Sequence, residues 1–116
     1  MGGIRLLAMT AAAALAGCRH SLAERIELPD EMRAAVLAIA PRGTPTAEAA
    51  RRLTREGFAC AAVRRASFDG SDSLTYAYCD ASPSVGSPVS RRWQLALVDS
   101  AGRLLDVRAK TGLIGP

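Results

Sequence analysis

The chain has 116 residues, 22% charged, 49% apolar and 4% aromatic, with a formal charge of +4. That is room for one domain, and its balance of charge and apolarity excludes wholesale disorder. No apolar run reaches the ~18 residues of a spanning helix, so no helix is expected to cross a membrane. A single histidine leaves no Ser-His-Asp or Cys-His arrangement to build.

Residues 1–17 read as an address. Arg5 supplies a sparse positive start, Leu6 through Ala16 form an Ala/Leu-rich run of signal-peptide length, and small Ala16 and Gly17 precede Cys18. Leu15-Ala16-Gly17-Cys18 resembles the lipobox of bacterial lipoproteins. The resemblance implies diacylglyceryl transfer to the Cys18 thiol and cleavage before it, with acyl chains such as palmitate holding the mature chain on a membrane. An ordinary secretory signal with an incidental cysteine is the alternative. Arg19 stands where inner-membrane retention would place Asp, which implies the outer membrane, facing the periplasm. Cleavage removes only Arg5 among the charged residues, so the mature chain stays mildly basic. That surplus and that address argue against nucleic acid as a partner.

Cys60 and Cys79 remain, an even pair in an oxidising compartment, and read as a disulfide. Asp69-Gly70 between them is a turn signal. A hairpin about that dipeptide pairs residues whose numbers sum to 139, as 60 and 79 do. It would set their Cα atoms ~4.5–5.5 Å apart.

Residues 18–28 read as a lipid-anchored tether carrying solvated His20, with Ile26 and Leu28 available to dock. The domain is expected over 29–116. A first helix is expected over 29–40, opened by Pro29, Asp30 and Glu31. Met32, Ala35, Val36 and Ile39 fall on one face. In the second, Thr44 is the expected N-cap and Pro45 the first helical residue. That helix should run through Glu56 to Gly57 in a Schellman motif, Phe58 meeting Leu53. Arg51, Arg52 and Arg55 form its wet face.

Strands are expected at 58–66, 73–80, 91–99 and 103–110, with a Pro/Gly/Ser surface loop over 81–90. A type I turn at Asp99-Ser100-Ala101-Gly102 would pair residues summing to 202, setting Leu97 opposite Leu105, Leu95 opposite Val107 and Trp93 opposite Ala109. The other face would set Gln94 opposite Arg108 and Arg92 opposite Lys110. Asp99 and Arg103 would flank the turn as a surface pair. One apolar face and one polar face suit a sheet covered by helices on one side.

The stretch from Gly43-Thr44-Pro45 through Arg51-Arg52-Leu53 resembles the segment that opens the domain of BamE-like outer-membrane lipoproteins. Trp93-Gln94-Leu95-Ala96-Leu97 and Gly102-Arg103-Leu104-Leu105 are similar to that family's last hairpin. Gly57 does not directly follow Leu53 here, and the Cys60–Cys79 hairpin departs from the family pattern. Helix pair, sheet and hairpin disulfide are similar, too, to the repeat of the β-lactamase inhibitor protein family. Both resemblances imply a binding scaffold without an active site.

No phosphate loop is present. Asp69-Gly70-Ser71-Asp72-Ser73 hints at a calcium loop, but Leu74 stands where its turn glycine belongs, so no metal and no cofactor are expected. The expectation is an α+β domain, two N-terminal helices on one face of a four-stranded antiparallel sheet. It would be a non-catalytic, lipid-anchored envelope accessory whose protein partner meets the polar face of Arg92, Gln94, Arg108 and Lys110, or the 81–90 loop. An envelope inhibitor or small-ligand binder is the alternative.

Overall fold

A computed structural model describes residues 21–86 and 89–115; residues 1–17, Cys18 and His20 lie outside them. The chain is α+β. Helices α1 (Leu22–Arg25), α2 (Pro29–Ile39) and α3 (Thr46–Arg55) precede β1 (Ala59–Cys60), β2 (Arg64–Phe68), β3 (Ser71–Ala81), β4 (Ser84–Gly86), β5 (Val89–Ser100) and β6 (Arg103–Ile114). The order of helices before an antiparallel sheet is as expected, but there are three helices and six strands among the described residues, not two and four.

The extra helix lies in the expected tether. Leu22, Ala23 and Ile26 are buried in the main core, so residues expected in the tether belong to the packed body. Four residues carry too short a pattern to announce a helix; burial against the sheet decides it. Leu28, expected to dock, is exposed instead.

Helix α2 begins at Pro29 and buries Met32 and Val36, with Ala35 and Ile39 packed beside them. Helix α3 begins one residue later than expected. Pro45 is its cap, because residues 43–46 pair with the start of β6. Gly43 donates to the Leu104 carbonyl, Leu104 to that of Thr44, and Thr46 to that of Gly102. The helix ends at Arg55 in the expected Schellman motif: Phe58 donates to the Leu53 carbonyl, Gly57 to that of Thr54, and Gly57 holds φ +100°. The expected wet face is only partly wet. Arg51 and Arg52 both bond Glu48, and Arg52 also donates to the Ile39 carbonyl.

In the first hairpin, Asp69 and Gly70 both take positive φ (46° and 84°), the geometry of a type I′ turn. Register sums run 139 at Phe68↔Ser71, 140 from Ala66↔Leu74 to Arg64↔Tyr76, and 139 again at Cys60↔Cys79. One extra residue on β3, where Ser73 sits at φ 54°, is offset by one extra residue within 61–63. The expected strand over 58–66 is therefore broken in two, yet the cysteines face each other as expected. They lie at disulfide distance, with Cα atoms 4.0 Å apart, closer than the expected range.

The segment 81–90 is not a plain loop. Ala81↔Trp93 and Ser84↔Ser90 share one register, so β4 continues the line of β3 along β5. Proline and glycine marked an interrupted strand rather than its absence.

The last hairpin closes on Ala101 and Gly102, both at positive φ (52° and 83°), a two-residue loop rather than the expected type I turn. Its register sum is 203 at the turn and, past a bulge that admits Leu105, 204 thereafter. Leu97 therefore opposes Val107, Leu95 opposes Ala109, Trp93 opposes Thr111, Gln94 opposes Lys110 and Ala96 opposes Arg108. Leu105, expected in the core, is exposed and Leu104 takes its place. Asp99 does not pair with Arg103. Its carboxylate accepts from Thr46 Oγ1 at 2.5 Å and from the Gly102 amide, while Arg103 donates to the Gly43 carbonyl.

The main core lies between the helices and one sheet face. Ala77, Cys79, Trp93, Leu95, Leu97, Leu104 and Val107 meet Leu22, Met32, Val36, Leu53 and Phe58. Trp93 is wholly buried, and its indole N–H has no hydrogen-bond partner among the described residues. The outer edge of β6 is covered as well. Arg42 Nε and Arg33 Nε each donate over 3.1 Å, to the Leu105 and Val107 carbonyls, and both guanidinium groups meet the Asp106 carboxylate between them, at 3.1 and 2.7 Å. An edge so occupied offers no template there for another strand.

Candidate interaction surface

Strand alternation puts Tyr76, Tyr78, Asp80, Arg92, Gln94, Ala96, Arg108 and Lys110 on the face away from the helices. That face is not uniformly polar, as the sequence pattern implied. Phe68, Tyr76 and Ala96 are buried there as a second small core, with Ala66, Leu74 and Tyr78 packed against them.

The β2–β3 hairpin builds this second core by folding over the sheet. Phe68 belongs to β2, with β3 and β5 between it and β6, yet Lys110 Nζ of β6 stands 5.1 Å above its ring. Arg108 Nη1 of β6 bonds Ser71 Oγ at the hairpin tip. The bulge at left-handed Ser73 is where the arm can turn. Phe68 and Tyr76 rings meet edge to face at 5.6 Å, and the Tyr76 hydroxyl donates to the Ser67 carbonyl, fastening the arm from within.

The four residues expected to form one binding face are thus divided. Arg108 and Lys110 hold the arm. Arg92 and Gln94 converge on Tyr78: Gln94 Nε2 donates to its hydroxyl at 2.7 Å, Arg92 Nη2 at 3.3 Å, and Arg92 also lies 3.7 Å from the Asp80 carboxylate. Tyr78 and Asp80 complete this group and were not singled out by sequence. Their signal was the alternation of Leu74, Tyr76 and Tyr78, which places them on the face of Gln94. The Arg92 side chain is 44% exposed and that of Asp80 32%, so the group is reachable from solvent while its geometry is held by the sheet.

On the helix side, a mostly apolar groove of about 370 Å³ runs between α3 and the 61–63 connection, bordered by Ala47, Ala50, Thr54, Ala61 and Val63. Among the described residues no cluster of three or more His, Cys, Asp or Glu is placed to hold a metal ion, and no helix is long and apolar enough to cross a membrane. No protein-family model, curated protein or solved structure matches the chain.

Proposed function

We propose that this chain is a non-catalytic interaction or assembly accessory of the bacterial envelope, anchored through acylated Cys18 on the periplasmic side of the outer membrane. It would bind a protein partner through the Tyr78–Asp80–Arg92–Gln94 group. One observation carries the reading: an aromatic ring, a guanidinium, an amide and a carboxylate are held together, solvent-accessible, on the sheet face opposite the described helices. Tyr and Arg are among the residues enriched at the anchor positions of protein interfaces. The Leu15–Cys18 pattern supports the anchor, the cysteine pair at bonding distance suits an oxidising compartment, and the resemblance to BamE-like lipoproteins points to the same class.

A photoreactive amino acid at Gln94 tests it in living cells, with the same probe at exposed Ala47 on α3 as control. A defined protein adduct at 94, absent at 47 and weakened by Arg92→Glu, is expected. Acylated protein that gives no adduct at 94 rejects the partner surface.

A second reading rests on the apolar groove, whose volume falls in the range of small-ligand sites. An envelope small-ligand binder would lose its ligand with Ala50→Trp, which fills that groove, and be indifferent to Arg92→Glu.

A further inference from the structure

Three of the five large hydrophobic side chains exposed on the described surface lie at one end of the molecule: Leu28 (59%), Leu113 (65%) and Ile114 (44%). Pro83, Arg91 and Leu113 form a continuous row. Arg91 N–H donates to the Pro83 carbonyl, Arg91 pairs with Leu113, and Ser90 pairs with Ile114. Arg91 also reaches back to the Glu27 carbonyl, next to Leu28. Pro83 shares a shallow depression with Ser21, Ala23 and Gly57. The apolar end is therefore the end that carries α1, the first described helix.

This position matters because Cys18 is close to it along the chain. Leu22 and Ala23 are locked in the core, so three peptide steps join Cys18 to Ser21, at most about 11 Å when extended. Leu113 stands about two strand spacings, ~10 Å, from the row position of Pro83. An acyl anchor on Cys18 would hold this end of the body against the bilayer.

We propose that Leu28, Leu113 and Ile114 form a membrane-docking end that inserts into the lipid interface beside the anchor. The inference rests on acylation of Cys18. The anchor makes docking intramolecular, so three apolar side chains at one end suffice, Leu113 and Ile114 on opposite faces of β6, and set orientation rather than affinity. The Ala101–Gly102 turn and the start of α3 then point away from the membrane, and the sheet face stands upright beside it.

The test uses the full chain, expressed and processed, with acylation of Cys18 read by mass spectrometry. Cys18 being acylated and Cys60 bonded to Cys79, Leu113→Cys offers a single thiol for a polarity-sensitive fluorophore. Ala47→Cys carries the same dye near the opposite end, next to Thr46, which bonds Asp99. In vesicles of phosphatidylethanolamine and phosphatidylglycerol, the dye at 113 should shift to the blue and be quenched by spin-labelled lipid. The dye at 47 should do neither, and a probe at Leu28→Cys should lose its lipid quenching when Leu113 and Ile114 are both changed to Asp. Acylated protein whose dye at 113 behaves as at 47 overturns docking and leaves the anchor standing. A blue shift at 113 without lipid quenching means that a second copy or another protein covers the patch, and also overturns it. Unacylated Cys18 overturns both the anchor and the docking.

Discussion

Lys110 Nζ lies 5.1 Å from the centroid of the Phe68 ring, although β3 and β5 separate the strands that carry them. Only a hairpin bent back across its own sheet brings the two together. The bend converts half of an expected open face into a second core, and leaves Tyr78, Arg92 and Gln94 as the part still open to solvent.

If the arm is held mainly by burial of Phe68, removing the ring should release it. Phe68→Ala is expected to cost about 2–3 kcal/mol, below the range of a deep-core Phe because the cluster is small. Lys110→Ala removes only a partly exposed cation–π contact and should cost about 0.5–1 kcal/mol. Urea midpoints measure both. Hydrogen exchange should accelerate across residues 64–75 in Phe68→Ala while the β5–β6 amides keep their protection; uniform acceleration would show that the arm is not a separate unit.

The faces of the sheet were legible in the sequence although the partners were not. A last hairpin read at a sum of 202 and found at 204 is off by two residues, and side chains alternate with period two, so Trp93, Leu95 and Leu97 still face inward and Gln94 outward. The disulfide was legible for a related reason: two irregularities of opposite sense leave 60 opposite 79. Three features were beyond local pattern. Helix α1 is four residues stabilised by the sheet they touch. The bulges put non-glycine residues such as Ser73 in a left-handed conformation that nothing adjacent requires. The folded arm is set by contacts between Phe68 and Lys110, far apart in sequence. Of the candidate site, Arg92 and Gln94 were visible as a polar face, whereas the reassignment of Arg108 and Lys110 to the arm needed its path in space.

The bulge at Leu105 carries a sharp test. Leu104 is 2% exposed and Leu105 is 55% exposed, the reverse of strict alternation from the turn. Leu104→Ala should cost about 2–4 kcal/mol. Leu105→Ala should change stability by no more than ~0.5 kcal/mol. Chemical denaturation of the two variants decides the register, and a larger loss at Leu105 would restore the hairpin without its bulge.

Between Cys60 and Cys79 the chain closes a loop of sequence separation 19. In the chain-entropy account, a loop of that size contributes about 3 kcal/mol. Non-reducing peptide mapping should find the two cysteines joined. The double variant Cys60→Ala/Cys79→Ala should lose about that amount, and its denaturation should no longer respond to reductant. A stability unchanged by both reductant and substitution would remove the cross-link from the account of this hairpin.

Asp106 links pH to the covered edge of β6. Its partial burial pushes the carboxyl pKa up, but the Val107 amide and the charges of Arg33 and Arg42 outweigh that and hold it below the ordinary value. A carboxyl lowered on folding adds stability above its unfolded pKa and gives it up as pH falls through its folded one. The contribution should therefore be whole at neutral pH and fade below about pH 4. Because the paired side chains are 37–56% exposed, solvent screening keeps it under about 1 kcal/mol. Asp106→Asn should lose that amount at pH 7, and the gap between variant and parent should close towards pH 2–3 and narrow in high salt. Urea midpoints across the pH series measure it; a gap that widens on acidification would mean that the two arginines do not stabilise the carboxylate.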